Sequence, residues 1–278
     1  MSKKAIVFEL RGRFAHFKVP ETTRGAISFP FPPRTALLGM IAGILGYPRN
    51  SYWKEGHPLR EARIALEIVN PLKMYPMKVN YTQTKSDFVF KVDGLKILIP
   101  SDPVDPSRRG FTTQFRLDLV QDPCYRVYFS LDDRELFDAL AEALKGHQYK
   151  YVPYLGHANL LAEIEMISVV DYELAPIGEH EVSGLVPLST VKVDADSFIA
   201  GDFHIVHGVP MSMRVIDEPE SLDGRYLAFT EVDMLDSIAF QVEPRTSPVR
   251  LILKTEDQVA ELTVGGIHKK VVFLPGAH

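Results

Sequence analysis

A single cysteine, Cys124, stands in a chain of 278 residues. A lone thiol excludes an intrachain disulfide framework and any multi-cysteine metal site, which leaves Cys124 as a small apolar residue packed in a strand. Long apolar runs are also missing, since none reaches the roughly 18–20 residues that span a bilayer. The opening MSKKAIVFEL breaks its apolar run at Glu9 and has no small-residue cleavage site. The expectation is a cytoplasmic chain, mature from residue 1, with no membrane partner. The chain has no GxxxxGK(S/T), no strand-following GxGxxG, no GxSxG and no HExxH, so four common enzyme classes lose their usual sequence support. The best metal candidates are Asp202, His204 and His207 in DFHIVH. Strand alternation puts His204 and His207 on opposite faces, so neither a metal nor a cofactor is expected. Acid pairs such as Glu163/Glu165 and Asp194/Asp196 fit one strand face but are too common to point to chemistry.

The material that is present suits a folded protein with a sizeable core, 46% hydrophobic and 24% charged. A net charge of −5 argues against a polyanionic partner until it is divided along the chain. Residues 171–261 hold 18 acidic and 6 basic side chains, whereas residues 1–170 hold 23 basic and 18 acidic. Such asymmetry points to different partners for the two halves, or to acidic strands that simply face water in the second.

The stretch from Phe8 to Tyr47 organises the chain. Lys3 to Arg11 reads as a buried strand, and Thr35 to Gly46 as an apolar helix capped by the Thr35 hydroxyl. Between them runs a connector of about two dozen residues, far longer than usual, which marks it as functional or disordered. Phe14, Phe17, Phe29, Phe31 and several prolines give it material to pack, which disfavours disorder. Arg11, Arg13, Lys18, Arg24 and Arg34 face one acid there, Glu21. Cations interleaved with aromatics suit a phosphate backbone and its unstacked bases. In the helix, Ala36, Gly39, Ala42 and Gly43 recur at three- and four-residue spacing and make one face nearly flat. That face fits close packing on a sheet, or close approach to RNA or a neighbouring subunit.

Further on, RIALEIV (63–69) reads as a strand ended by Asn70-Pro71. DFVFKVDGLKILIP reads as a hairpin turning at Asp93-Gly94, followed by a proline-rich loop with Arg108-Arg109-Gly110. This insertion, at about 80–115, fits a finger over a polyanion or a solvated edge protected by lysines. Strands follow at 111–119 and 124–131, then an amphipathic helix from Asp132-Asp133 to Gly146, a tyrosine-rich linker, and the strand LLAEIEMISVV. Without the insertion the order is close to βαββαβ, so the fold class is α+β with a ferredoxin-like palm over 1–174, also the scaffold of RNA-recognition motifs. From 175 to 278 short apolar runs separated by turns predict a β-rich second domain or a sheet extension. Metal-independent RNA cleavage needs a base, an acid and a cation near one 2′-hydroxyl. His16, Tyr47, Tyr52, His57, His147, Tyr149 and Lys150 could supply them, or could equally position and pack.

The connector carries a resemblance that pattern rules do not give. GRFAHFKVPETTRGAISFPFPPRTALLGMIAGILGY resembles the N-terminal signature of the Cas-five family of CRISPR-associated (RAMP) proteins. It has the Gly-x-x-Ala-x-Phe turn (Gly12, Ala15, Phe17), the threonine loop (Thr22, Thr23), the aromatic-proline run Phe29 to Pro33, and a helix bearing Gly39 and Gly43. Residues 112–129 are similar to the strand pair after the family's hairpin, and YVPYLGHANLLAEI (151–164) is similar to its Tyr-Leu-Gly segment. The resemblance covers 1–174 and looks closest to the type I-B branch. It implies a palm with a hairpin thumb, in an antiviral Cascade complex. Such a subunit holds the 5′ handle of the CRISPR RNA, caps the backbone-subunit filament, touches the large subunit and meets target DNA indirectly. Carried over, Arg11, Arg13, His16, Lys18, Arg24 and Arg34 become handle contacts. Lys85, Arg108, Arg109 and Arg116 contact the handle–spacer junction by position. Gly12, Gly39, Gly43, Tyr154 and Gly156 are structural. The alternative is the type I-C activity, metal-independent cleavage of precursor RNA. This chain lacks the adjacent Lys-His pair of that branch, so no catalytic residue is assigned.

Overall fold

Strand β1 (Lys3–Arg11) lies in the middle of a six-stranded antiparallel sheet, and residues 5–10 of it are buried. Because both its faces are covered, the run AIVFEL is nearly continuous in apolar residues instead of alternating. The computed structural model describes residues 3–20, 27–82, 89–92, 95–98, 112–193, 203–217, 229–241, 249–253 and 258–276. Among these the chain is mostly β, with two α-helices, α1 (Arg34–Leu45) and α2 (Arg134–Lys145). The strands of the sheet lie in the order Ile267–Val272, Val259–Val264, Glu163–Leu174, β1, Cys124–Ser130, Arg63–Ile68. Every neighbouring pair is antiparallel.

The two faces hold different cores. Ile6, Phe8 and Leu10 of β1 meet Leu37, Leu38 and Ile41 of α1 and Phe137, Leu140 and Leu144 of α2. The intervening Ala5 and Val7 point the other way, into a second core with Ala65, Tyr128, Tyr172, Leu262 and Phe273. This second core exists because the sheet curls until its outer edges meet. Leu274 N–H donates to the Ile64 carbonyl at 2.8 Å, making a bridge between the two ends. The 183–185 segment closes the same seam, with Leu185 N–H on Leu66 O (2.9 Å) and Ser183 N–H on Lys270 O (2.8 Å). Gly184, at φ +94, is required there, since a Cβ would stand 2.3 Å from the Leu66 carbonyl oxygen.

Charge at the mouth of this curl is paired. Glu9 accepts from Arg126 at 2.6 Å and from Arg11, while Glu67 accepts from Lys269 (2.9 Å) and Tyr128 (2.5 Å). Burial alone would raise the Glu9 pKa, but the Arg126 and Arg11 guanidiniums outweigh it and hold the carboxyl below its ordinary value.

α2 begins as its sequence dictates, with the Asp133 carboxylate accepting Leu136 N–H at 2.9 Å and Gly146 at its end. The other helix starts one residue earlier than expected. Arg34 is its first residue, its N-cap position is Pro33, and the Thr35 hydroxyl donates to Pro210 O at 3.5 Å instead of capping. Beyond residue 174 the chain adds the Val259–Val264/Ile267–Val272 hairpin to the sheet. It also adds a long ribbon, Phe203–Asp217 with Phe229–Gln241, whose Val209, Met211, Ile238 and Phe240 join the core under α1. A second ribbon, Lys73–Thr82 with Thr112–Gln121, takes Phe14–Ala15 as a third strand. The expected inner hairpin pairs Val89–Val92 with Leu95–Leu98; Asp93 and Gly94 lie outside the described residues.

Candidate nucleic-acid interface

The connector is folded. Gly12 follows β1 where any side chain would collide: its Cβ would lie 2.5 Å from a Leu155 methyl and 3.0 Å from the Leu161 carbonyl oxygen. Phe14–Ala15 then pairs with Val120–Gln121, and Phe17–Lys18 pairs with Ser28–Phe29. The Ser28 hydroxyl accepts Phe17 N–H (2.8 Å) and donates to Phe29 O (2.7 Å), which closes this small hairpin. Phe17, Phe29 and Phe31 are buried beneath it. His16 sits at the joint, 5% exposed. Its N–H donates to Leu155 O at 3.0 Å and its Nδ1 lies 3.0 Å from Asp118 O, so one residue ties the 151–156 segment to the second ribbon.

The sequence-predicted cations meet different fates. Arg13 is exposed, its guanidinium 5.9 Å from the centre of the Phe14 ring, and that ring packs on Tyr75 at 5.8 Å. Lys18 is exposed. Arg11 is half exposed and pairs with Glu9 and, at 3.4 Å, Glu165. Arg116 is exposed on the second ribbon with its Nε on Asp118 at 3.0 Å. Arg24, Lys85, Arg108 and Arg109 lie outside the described residues.

Two candidates are corrected. Arg34 is 0% exposed, and its guanidinium donates to Met211 O (3.0 Å), Arg60 O (2.7 Å) and Ala62 O (2.8 Å). It staples the start of α1 to the turn at Pro58–Glu61 and to the C-terminal ribbon, and it cannot reach an RNA strand. His16 is likewise buried in its joint and is no handle contact.

Two cations were missed. Lys73 and Lys78 are exposed on the second ribbon, and Lys78 stands directly across from Arg116. Like charges opposite each other on a ribbon are destabilising in the absence of a counterion. The signal lay in KMYPMKV, where period-2 spacing is obscured by Pro76.

The flat face of α1 is split: Ala42 packs into the core with Leu37, Leu38, Ile41 and Ile44, while Ala36, Gly39 and Gly43 line an open groove of about 710 Å³. Its other wall is the 151–156 segment, including Tyr151, Tyr154 and Gly156, and Tyr47 and Tyr52 stand between. Gly156, at φ +83, is pressed on the connector so closely that a Cβ would lie 2.1 Å from His16 O. Tyr154 is half exposed and bridges to Leu161. Burial raises the Tyr52 pKa, with Arg49 opposing and Tyr154 adding to the effect.

Of the residues named for RNA cleavage, Tyr47 and Tyr52 both line this groove, and the three histidines lie in separate places. The His57 ring meets Tyr47 edge-on at 4.8 Å, His147 Nδ1 lies 3.0 Å from the Tyr149 hydroxyl, and His16 is buried in its joint. His204 is exposed and His207 Nδ1 meets Ser237 Oγ at 2.8 Å. Among the described residues no group of three or more His, Cys, Asp or Glu could hold a metal. The sheet face on which an RNA-recognition motif stacks its bases is here the buried second core, so that mode of binding is closed to this chain.

A family model described as "CRISPR-associated protein (Cas_Cas5)" matches residues 5–219. No curated protein matches the chain. Among solved structures, one titled "CRISPR RNA-guided surveillance complex" is 18% identical with a TM-score of 0.39, over 57% of this chain and 60% of that one. The chain therefore spans less than two thirds of that relative. A CRISPR protein from Archaeoglobus fulgidus is 10% identical with a TM-score of 0.48, over 98% of this chain and 100% of that one. A chain of the Type III-B Cmr-beta complex bound to cognate target RNA and AMPPnP is 10% identical with a TM-score of 0.40, over 89% of this chain and 86% of that one.

Proposed function

The chain belongs to the Cas_Cas5 family of CRISPR-associated proteins, and from that premise we propose that it is a non-catalytic, RNA-binding subunit of a type I-B CRISPR effector complex. In this reading the sheet with α1 and α2 is a ferredoxin-like palm, and the Lys73–Thr82/Thr112–Gln121 ribbon is the base of a thumb. The palm and thumb hold the 5′ handle of the CRISPR RNA. The acidic C-terminal half faces protein, and the molecule caps a filament of backbone subunits beside a large subunit.

The observation that supports this most directly is the pair of exposed cations, Lys78 and Arg116, facing each other across the ribbon. Asp118 partners Arg116, and among the described residues Lys78 makes no ion pair. A phosphate between them would turn a repulsive pair into two attractive contacts. Arg13 over Phe14, with Tyr75 beside it, offers the mixture of charge and ring face that a single strand uses.

The test is binding of authentic and scrambled repeat-derived RNA by the chain with its partner subunits. Authentic RNA is expected to bind more tightly. Lys78→Glu with Arg116→Glu should weaken it at least tenfold, with the salt slope falling by about 0.7 for each phosphate no longer neutralised. Equal affinity for both RNAs, or a double variant that binds like the wild type, would overturn the assignment. Discrete cleavage of repeat RNA in EDTA would replace it with the endoribonuclease reading.

A further inference from the structure

We propose that His16 is a positioning residue for RNA binding: its imidazole holds the second ribbon against the connector, so that the cations of the two keep one spacing. This rests on the RNA-binding reading above and goes beyond it, because it gives a buried side chain that touches no ligand control over where the ligand-facing cations stand.

The backbone of residue 16 is clamped. Its N–H donates to Leu155 O at 3.0 Å, and its carbonyl oxygen lies where a Cβ on Gly156 would come within 2.1 Å. The 155–156 segment therefore grips both the amide and the carbonyl. A side chain rooted there starts from a fixed point.

The main chain leaves the ribbon at this same residue. Phe14 and Ala15 pair with Gln121 and Val120, but the next N–H goes to Leu155, outside the ladder. The imidazole supplies the missing rung. Its Nδ1 lies 3.0 Å from Asp118 O, and since a carbonyl only accepts, Nδ1 carries the proton. A side-chain rung lets the connector turn away into its Phe17–Lys18/Ser28–Phe29 hairpin while the ribbon stays held. Above the short Phe14–Ala15 strand the described ribbon has two strands, and a two-stranded hairpin is marginal on its own.

Asp118 is the place where such a hold matters. Its carboxylate accepts from Arg116 Nε at 3.0 Å, and Arg116 stands across from Lys78. A strand rises about 3.4 Å per residue, so the rung lies about 7 Å along the ribbon from that pair. On the connector, the exposed Arg13 and Lys18 flank His16 in sequence. One imidazole thus stands between the two cationic sets. Cations that already sit at a fixed separation lose less freedom when a strand of phosphates binds them. Filling space alone would not call for this side chain. His16 is buried, and burying a polar ring costs free energy that leucine would not. The bond to Asp118 O offsets that cost and adds direction, since it is good only over a narrow range of distance and angle.

The experiment is a double-mutant cycle on the affinity of the full chain, with its partner subunits, for repeat-derived RNA. His16→Leu keeps the bulk and should weaken binding about fivefold, an ordinary coupling within one network. His16→Asn should bind within about twofold of the wild type, because its amide nitrogen falls near the position of Nδ1 and donates in its place. On a background of Lys78→Glu with Arg116→Glu, His16→Leu should cost nothing more, since the cations it positions are gone. A merely structural histidine would show its full loss there as well. Where His16→Leu does not assemble, His16→Gln replaces it in the cycle, because its amide nitrogen lies one bond too far out to reach Asp118 O. A His16→Leu that binds like the wild type, a His16→Asn as weak as His16→Leu, or a loss that persists in full on the glutamate background overturns the assignment. If the glutamate pair weakens binding and His16→Leu does not, the RNA-binding reading stands and only the positioning role falls. If the glutamate pair itself changes nothing, both fall.

Discussion

Arg13 and Arg34 stand at opposite ends of one connector, and the fold uses them in opposite ways. Arg13 lies in water over the Phe14 ring, free to meet an anion. Arg34 is sealed in, with no carboxylate bonded to it and three backbone carbonyls taking its protons. Burial lowers the Arg34 pKa to about 10, with Glu61 and Asp233 opposing, which still leaves it charged at neutral pH. Those carbonyls come from two places far apart in sequence: the Pro58–Glu61 turn with its capping residue Ala62, and Met211 of the C-terminal ribbon. Cation density in a sequence therefore marks two things at once, a ligand surface and a set of internal staples. Only the supply of unsatisfied carbonyls nearby separates them.

The comparison breaks most visibly at Arg34. Arg34→Met keeps the bulk but orphans three carbonyls, and should cost about 3–5 kcal/mol in urea unfolding. Arg13→Met should stay within about 0.5 kcal/mol. A loss below about 1 kcal/mol at Arg34 would mean the carbonyls find other partners, and the staple would be no more than packing.

The next largest effect contrasts two glycines of one groove. Gly156→Ala combines a left-handed backbone with a Cβ 2.1 Å from the His16 carbonyl oxygen. Neither partner is a flexible side-chain end, so the joint must open, at about 2–3 kcal/mol. Gly43→Ala should instead gain up to about 1 kcal/mol, because its Cβ meets only open space. Equal thermal midpoints for the two variants would refute the claim that one glycine is structural and the other is kept for space.

What the sequence shows is what local rules can carry. α2 was legible to within a residue or two at each end, since Asp133, Lys145 and Gly146 are terminal signals that act within one turn. So were β1 and the strands at 63–68 and 124–130, whose apolar runs are long enough to rise above their flanks. The strand Lys73–Thr82 was not, because Pro76 interrupts it and its side chains are mostly exposed, as an outer strand tolerates. Nor was the curling of the sheet, which depends on Leu274 meeting Ile64 across the whole chain. At the candidate site the exposure of Arg13, Lys18 and Arg116 followed from residue type, while the burial of Arg34 and His16 did not. No sequence rule reports that carbonyls from two distant segments will arrive at one guanidinium.

The smallest effect tests the same rule on a group that can choose its charge. His57 precedes the Pro58–Glu61 turn, and its Nδ1 accepts Leu59 N–H at 3.2 Å, a bond that needs the neutral ring. Burial holds its pKa below the ordinary imidazole value, with Asp133 pulling weakly the other way. The folded state therefore binds the proton less readily than the unfolded chain. The stability this contributes is complete above about pH 6.5 and is lost as pH falls from there toward the lowered folded value. Glu9, whose pKa is also depressed, begins to lose its share only below about pH 4.5, so the two windows separate. Between pH 7.5 and 5.5 the wild type should lose a few tenths of a kcal/mol more than His57→Gln, read as urea midpoints at the two pH values. Arg34 cannot shed its proton in this range and must be satisfied by carbonyls. His57 can, and a pH response identical in wild type and variant would show that its ring is not held neutral by its surroundings at all.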